Sequence, residues 1–214
     1  MDFITLSSNA PSARAHGQHI YCPNLHGLSA RLADASFLMP RMDQNQAVKD
    51  NSGHGQWAAT IAADPFGSNN AYFNALRTAG YKGITNWPSA ILLEGQTQQQ
   101  MSTIPATPKS EYSYLATAQS MGLQTMGFIL TPDHAVDALE AGISTLVLHP
   151  GILLDVDYDG AKLIRSSLSA IIAAIKRQDG AAKIYIYTSD WHDQNFDLAS
   201  LRCDGFVRFQ ETEA

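Results

Sequence analysis

Short apolar segments alternate with helix-type patterns along most of this chain. In residues 56–87, an apolar run at 57–63 precedes a segment with apolar residues at helical spacing over 72–79, and a second apolar run follows at 83–86. Gly80 lies just past the last apolar position of the helix, which is typical of a helix end. Because two strands joined through one helix run parallel, this stretch predicts a parallel strand–helix–strand unit.

The same alternation continues on both sides and predicts eight strands. They are expected at 19–22, 37–39, 57–63, 83–86, 125–130, 145–148, 184–187 and 205–209. Residues 1–17 are expected to form a lead-in segment, in which 2–6 make a short strand or a plug. Eight strands with helices between most of them favour a closed (β/α)8 TIM barrel over an open sheet. We therefore expect one compact barrel domain over 1–214, incomplete at its last outer helix.

Several helix starts are also readable from the sequence. Thr107-Pro108 and Thr131-Pro132 each place a capping side chain before a proline at the first helical position, where no N–H is missed. Apolar residues at helical spacing predict a helix over Ala161–Arg177. A helical turn or two is expected over Asp43–Val48.

Composition and charge narrow the range of partners and compartments. Charged residues make up 16% of the 214 residues and the net charge is −6, so a basic surface for nucleic acid is not expected. The N-terminus lacks the basic start and long apolar run of a secretory signal, and no segment approaches membrane-spanning length. Cys22 and Cys203 have no metal-type or redox-type spacing. We expect a cytoplasmic protein without membrane partners.

Polar side chains follow several of the predicted strands, and the carboxyl ends of parallel strands meet at one rim of a barrel. These candidate ligand-binding or catalytic residues are Asn24, His26, Asp64, Asn86, His149, Asp190 and His192. Each also has a structural interpretation. Asp64 suits a turn before proline, Asn86 suits a strand-end cap, and His149 suits a buried histidine held by a carbonyl group. Trp191, beside His192, suits either a ligand stack or a lid on the barrel.

Two of these residues carry specific chemistry. An imidazole at position 149 titrates near neutral pH and suits a general acid or base. The carboxylate of Asp64 suits Mg²⁺, which prefers oxygen ligands, with Glu111 or Asp190 as a second ligand. His26, His149 and His192 have no spacing that indicates zinc.

The sequence resembles one family at several motifs that are specific in combination. The matching segments are Gly27-Leu28-Ser29-Ala30, Ala63-Asp64-Pro65-Phe66, Gly83-Ile84-Thr85-Asn86-Trp87-Pro88, Met121-Gly122-Leu123, Glu140-Ala141-Gly142 and His149-Pro150-Gly151, together with Glu111. They resemble the phosphoenolpyruvate hydrolase-like TIM-barrel family, which includes predicted signal-transduction barrels and the carboxyl-terminal domain of tobamovirus-resistance-type proteins.

This resemblance implies hydrolase or lyase chemistry on a small (phospho)carboxylic acid, in a superfamily whose better-known members use Mg²⁺. By position, Asp64 would hold the metal or polarise the ligand, and Asn86 would donate a hydrogen bond. His149 would move a proton, and Glu111 would orient one of these groups.

The chain also departs from the family pattern. The loop after Met39 is shorter, and the glycine-containing loops after strands seven and eight are replaced by Thr188-Ser189-Asp190 and Arg208-Phe209-Gln210. Barrels commonly hold phosphate with backbone N–H groups of those loops. An alternative function is therefore a non-catalytic sensor or interaction barrel that has lost its phosphate loops. In either case, the apolar flank left by a missing eighth helix predicts a homo-oligomer.

Overall fold

Eight parallel strands form a closed barrel in the computed structural model, which describes residues 2–13, 17–64, 70–153 and 158–212. Each strand pairs with the next along the chain, and the eighth pairs with the first. The strands are β1 (Asp2–Ser7), β2 (Gln18–Tyr21), β3 (Trp57–Thr60), β4 (Gly83–Asn86), β5 (Gln124–Ile129), β6 (Thr145–Leu148), β7 (Lys183–Thr188) and β8 (Gly205–Phe209). The predicted TIM-barrel fold is confirmed.

Eight α-helices surround the barrel in the described ranges. They are α1 (Ala30–Asp34), α2 (Gln44–Lys49), α3 (Asn70–Thr78), α4 (Gly95–Met101), α5 (Pro108–Ser120), α6 (Pro132–Glu140), α7 (Tyr158–Gln178) and α8 (Asp190–Phe196). The caps expected at Thr107 and Thr131 are present, since these side chains accept hydrogen bonds from the backbone N–H groups of Ser110 and His134. Asp43 likewise caps α2 by accepting from Gln46 N–H.

The first two strands differ from the prediction. Residues 2–7, expected within a lead-in segment, form the barrel strand that joins β8 to β2. The strand expected at 37–39 is wrong, because the chain turns there and leaves Leu38 and Met39 more than half exposed. Ile20 of β2 pairs with Trp57 of β3, so the place beside β3 that the segment would need is already filled.

Side-chain direction alternates along every strand and separates two groups of apolar residues. We call the residues that point into the barrel the inner layer. It comprises Ile4, Leu6, Ile20, Trp57, Ala59, Trp87, Met126, Phe128, Val147, Tyr185, Tyr187, Val207 and Phe209. The intervening residues, such as Ala58 and Ile84, point outward and pack with the helices. Asn86 therefore belongs to the outward series, whereas Trp87 and His149 belong to the inward one.

The outer side of β1 and β8 carries an exposed aromatic residue. Phe3 is 60% exposed and stacks on Phe206, with 5.7 Å between ring centroids. The described residues after β8, 210–212, form no helix. An oligomer that covers this flank stays a prediction. Separately, none of the helices in the described ranges has the length and apolar character needed to cross a membrane.

Gly205 offers a test of the β1–β8 contact that closes the barrel. A Cβ atom at position 205 would lie 2.3 Å from the backbone carbonyl oxygen of Asp2. We expect Gly205→Ala to lower the free energy of unfolding by roughly 2 to 3 kcal/mol, since the backbone at this contact must move. In the control Gly180→Ala, the nearest atom to the new Cβ is 3.7 Å away, and we expect a change within about 0.5 kcal/mol. Equal urea-unfolding curves for the two variants would contradict this prediction.

Candidate active site at the carboxyl end of the barrel

A cluster of aromatic rings fills the barrel at the carboxyl ends of the strands. The fully buried ring of His149 contacts both Tyr187 and Trp87, with centroid distances of 4.4 and 5.3 Å and interplanar angles of 22° and 23°. Trp87 also contacts Tyr187, at 5.3 Å, and Phe128, at 4.5 Å. Since these residues all point inward from strand ends, the alternation of the strands places His149 where the sequence predicted it, in the mouth of the barrel.

Both ring nitrogens of His149 contact protein groups. Gly151 donates its backbone N–H to Nδ1 over 3.0 Å, and Nε2 lies 3.2 Å from Oδ1 of Asp34. Because Nδ1 accepts a hydrogen bond, we assign the ring proton to Nε2, from which it is donated to Asp34. His149 therefore holds the carboxylate of Asp34 in place.

Asp34 lies at the end of α1 and faces a small cavity. We call this cavity of about 130 Å³ the mouth cavity; its lining residues are Ala30, Arg31, Asp34, Ile152, Leu153, Trp191 and His192. The Asp34 side chain is only 5% exposed. Arg31 stacks over Trp191, with its guanidinium carbon 5.0 Å from the ring centroid. A carboxylate, an imidazole and a guanidinium thus line one enclosed space.

His192 enters the mouth cavity from the first turn of α8. Its Nδ1 lies 2.7 Å from the hydroxyl group of Ser189, the residue that caps this helix. Burial and the nearby His149 together lower the pKa of His192 to about 4, while Asp34 opposes the shift. The ring is therefore neutral at pH 7, and a proton on Nε2 follows if Ser189 donates to Nδ1.

Two buried polar atoms around these rings, Nε2 of His192 and Nε1 of Trp87, lack hydrogen-bond partners among the residues that the structure describes. Burial raises the pKa of Tyr187 well above its ordinary value, and the charge of Asp34 and a hydrogen bond to it raise the pKa further. Buried polar groups are nearly always paired, so a cluster of unpaired ones indicates a place where a ligand or water binds.

Asn86 and Glu111 contact each other on the outer side of β4, away from the mouth cavity. Asn86 donates from Nδ2 to Glu111 over 2.7 Å and accepts the N–H of Phe128 over 2.7 Å. The carboxylate of Glu111 also accepts from the Ser89 hydroxyl and the Ala90 N–H. Burial raises the pKa of Glu111 to about 7, although these hydrogen bonds oppose the shift. The cluster joins β4, β5, α5 and the turn at 89–92.

Asp64 lies apart from both groups. Its carboxylate accepts a hydrogen bond from Nδ2 of Asn45 over 3.1 Å. It lines a cavity of about 600 Å³ beside α2 and α3, whose other lining residues include Asp43, Lys49 and Tyr72. Residues 65–68 of the adjoining motif are outside the described ranges. The structure therefore brings Asp64 together with Asn45, and brings His149 together with Asp34.

The remaining predicted residues lie at the rim with different surroundings. Asn24 is buried and accepts the backbone N–H of Arg41, while His26 is exposed. Asp190 is 82% exposed and accepts a hydrogen bond from Arg208 over 2.8 Å. Of the predicted set, His192 lines the mouth cavity and His149 contacts Asp34, which also lines it. The catalytic and ligand-binding roles of all the predicted residues stay predictions.

The carboxylates proposed for magnesium do not come together. Asp64, Glu111 and Asp190 have separate partners, namely Asn45, Asn86 with Ser89, and Arg208. In the part of the chain that the structure describes, no group of three His, Cys, Asp or Glu side chains is arranged to hold a metal ion. The described residues therefore do not fit a Mg²⁺ site, and we derive no step through a metal.

Asp34 and Arg31 were not recognised from the sequence. A signal was present, because the motif Gly27-Leu28-Ser29-Ala30 directly precedes both residues on α1. The contact itself could not be read, since Asp34 and His149 are 115 residues apart. Arg31 gave no signal, because an exposed arginine on a short helix is ordinary.

Comparisons with known proteins agree with this architecture. A family model described as phosphoenolpyruvate hydrolase-like matches residues 34–186, more than half of the chain. The ToMV susceptible protein tm-1(GCR26) of Solanum lycopersicum is 33% identical over 95 residues, and the match spans 44% of this chain and 13% of that protein. Uncharacterized protein y4oT of Sinorhizobium fredii (strain NBRC 101917 / NGR234) is 26% identical over 150 residues, 67% of this chain and 76% of that protein.

Among solved structures, the chain is similar to a protein from Burkholderia cenocepacia J2315 that is named as a lyase/mutase. The TM-score is 0.50 at 13% sequence identity, and the match covers 96% of this chain and 76% of that one. At this identity the likeness shows the barrel fold alone.

Glu111 and His192 should make the free energy of unfolding depend on pH in opposite directions. Glu111 binds its proton more tightly when folded, so its stabilising contribution is present below pH 4.5 and is lost as the pH rises through about 7. His192 binds its proton less tightly when folded, so its contribution is present above pH 6.5 and is lost as the pH falls through about 4. Each contribution is on the order of 3 kcal/mol, and the two oppose each other between about pH 4.5 and 6.5.

In the variant Glu111→Gln, only the His192 contribution remains. We therefore expect its free energy of unfolding to rise with pH across this window. His192→Phe should leave the Glu111 contribution, so that the free energy falls. Urea unfolding at intervals between pH 4.5 and 7 measures both slopes. If both variants show the same dependence of the free energy of unfolding on pH as the unsubstituted protein, the pKa values of Glu111 and His192 are not shifted in this way.

Proposed function

Since the chain belongs to the phosphoenolpyruvate hydrolase-like family, we propose that it is an enzyme that acts on a small carboxylic acid at the carboxyl end of its barrel. One observation supports this most directly. Asp34 and His192 line the same mouth cavity, and Nε2 of His192 has no hydrogen-bond partner among the residues described. A proton acceptor and a neutral donor on one enclosed space suit a reaction that moves a proton on a bound ligand.

In this proposal, Asp34 is the group that exchanges a proton with the ligand. It takes a proton from the ligand, or from a water molecule that attacks it, and returns a proton to the leaving group. His149 acts as a positioning residue, because its Nε2 binds Asp34 and its Nδ1 is occupied by Gly151. This differs from the direct proton transfer that the sequence suggested for His149.

His192 serves as the hydrogen-bond donor to an oxygen atom of the ligand. Its lowered pKa keeps the ring neutral, so it donates from Nε2 without itself carrying a charge at pH 7. The Ser189 hydroxyl group fixes the ring from the other side. Such a fixed donor stabilises negative charge that develops on a ligand oxygen during the reaction.

The size of the mouth cavity favours a small ligand. Its volume is about 130 Å³, whereas sites for drug-sized ligands enclose about 300–1,000 Å³. A three-carbon acid is therefore a suitable class of substrate, with hydrolysis or carbon–carbon cleavage as the class of reaction.

A second candidate function is a sensor or signal-transduction barrel that binds a small acid without turning it over. One observation favours it. The polar groups of Asn86, Glu111 and His149 already form hydrogen bonds with protein atoms, which suits a structural role for these residues. The two functions share the binding site and differ in turnover.

We expect His192→Phe to weaken the binding of pyruvate or lactate by about tenfold to 100-fold, as for a lost hydrogen bond to a charged or polarised oxygen. The unliganded variant should remain folded at pH 7, because phenylalanine fills the space of the imidazole, although the hydrogen bond between His192 and Ser189 is lost. Isothermal titration and the ligand-induced rise in melting temperature measure the two effects.

The control is His134→Phe, which removes a half-buried imidazole whose Nδ1 accepts the N–H of Leu130. Its ring does not line the mouth cavity, so pyruvate binding should stay within about twofold of the original. Asp34→Asn should keep binding and remove turnover if the protein is an enzyme. If no three-carbon acid binds, or if His192→Phe binds it unchanged, the proposed site is wrong.

A further inference from the structure

A groove runs along the outer side of α7, beside the 3-10 turn Leu198–Ser200 that precedes β8. It consists of two adjoining cavities of about 560 and 480 Å³, which share Ser169, Ser200 and Leu201 as lining residues. We call it the α7 groove; its walls are one face of α7 between positions 162 and 176, and residues 200–202. None of its lining residues lines the mouth cavity, so it is a separate surface.

The α7 groove has cations at its two ends and small side chains between them. Lys162 and Arg165 lie at one end, and Lys176 lies at the other with Arg202 beside it. The α7 residues share one face because their positions recur every three or four residues. The small side chains between the two ends are exposed; on α7 they are Ser166, Ser169 and Ala173.

The α7 groove is positively charged, although the whole chain carries a net charge of −6. Among the described residues, no Asp or Glu lines either cavity, whereas four Lys and Arg side chains do. Lys176 pairs with Asp204 over 3.1 Å, and Arg165 donates one N–H to a backbone carbonyl oxygen. Lys162 and Arg202 form no ion pair within the described ranges. With Lys176 balanced by Asp204, three of the four cations remain without a carboxylate partner there.

From this arrangement we infer that the α7 groove binds an acidic, extended peptide segment of another protein. Lys162 and Lys176 are 14 positions apart on the helix, which is about 21 Å at 1.5 Å per residue. An extended chain rises about 3.3 Å per residue, so carboxylates about six residues apart reach both ends of the groove. The small side chains between the ends let the peptide backbone approach α7 closely.

The distribution of the cations favours a peptide over nucleic acid. A nucleic-acid strand carries a phosphate group at every nucleotide, so it would need cations along the whole groove. The middle of the groove has serine and alanine side chains instead. Because the groove shares no lining residue with the mouth cavity, this inference goes beyond the proposed function and does not depend on it.

A labelled peptide with two glutamates at each end tests the inference. The probe is fluorescein-Glu-Glu-Ala-Ser-Ala-Leu-Glu-Glu, titrated with the full chain and followed by fluorescence anisotropy. We expect a Kd on the order of 10 to 100 μM in ~50 mM salt, at least about threefold weaker in ~300 mM salt, since exposed charges are screened. The analogue with glutamine in place of every glutamate should not bind. Equal binding of the two peptides, or no binding of the first, would overturn the inference.

A double variant tests whether the groove is the binding surface. Lys162→Gln combined with Arg202→Gln removes one cation from each end, and should weaken binding of the glutamate peptide at least about tenfold. The control combines Lys49→Gln with Arg77→Gln, which changes the net charge equally at exposed sites on α2 and α3. It should change the affinity less than about twofold, and circular dichroism establishes that both variants are folded. Equal affinities of the two double variants would contradict the assignment.

Two further measurements distinguish other occupants of the α7 groove. If an eight-nucleotide oligothymidylate binds more tightly than the glutamate peptide and loses affinity in the groove variant, the occupant is nucleic acid and the inference is wrong. If light scattering shows an oligomer that dissociates in the groove variant, the groove is an interface between copies of this chain, and the inference is again wrong. Pyruvate binding by the groove variant should stay within about twofold of the original, so the proposed function is tested separately.

Discussion

The inward–outward alternation of side chains in a closed ring of parallel strands decides which polar residues at the strand ends can reach a ligand. Val147 points inward, so His149 does as well, and it meets Tyr187 from β7 in the middle of the barrel mouth. Ile84 points outward, so Asn86 does too, and it meets Glu111 of α5 instead. Two residues that each end a strand thus have different surroundings because of a one-residue difference in phase.

The inward group forms a site because α1 brings a carboxylate over the barrel mouth. Asp34 reaches Nε2 of His149, and α8 brings His192 to the cavity that Asp34 lines. Each of these helices is short and follows an early or late strand, so the cavity lies where the two ends of the chain approach each other. The hydrogen bond from the Ala30 N–H to Glu211 shows this approach directly. The outward group has a different role, since its polar atoms bind one another and join strands to α5.

Much of the fold could be predicted from the sequence, because most helices and strands are indicated by patterns of neighbouring residues. The caps at Thr107 and Thr131, the apolar stripe of α7 and seven of the eight strands are local patterns. The segment at 37–39 was misassigned because three apolar residues before a proline look the same in a strand and in an exposed turn. The strand at 2–7 was underrated because its partner β8 lies at the other end of the chain. Long-range pairing of this kind leaves no local signal.

The candidate site was predictable only in part. His149 and His192 follow apolar strands, and that position alone placed them at the rim. The outward direction of Asn86 was not predicted, because it depends on the pairing of Ala58 with Ile84 across β3 and β4 that the structure shows. The roles of Asp34 and Arg31 depend on contacts between distant parts of the chain, and no spacing in the sequence reports such contacts.

The central claim is that a small acid binds between Asp34 and His192, and nuclear magnetic resonance of the histidine side chains tests it most directly. In protein labelled with ¹⁵N at its seven histidines, the ring nitrogens report the tautomer and the hydrogen bonds of each imidazole. We predict that the ring proton of His192 and that of His149 lie on Nε2, that His192 is neutral at pH 7, and that pyruvate shifts the Nε2 resonance of His192 most. A pyruvate-induced shift confined to other histidines, with His192 unchanged, would contradict the account.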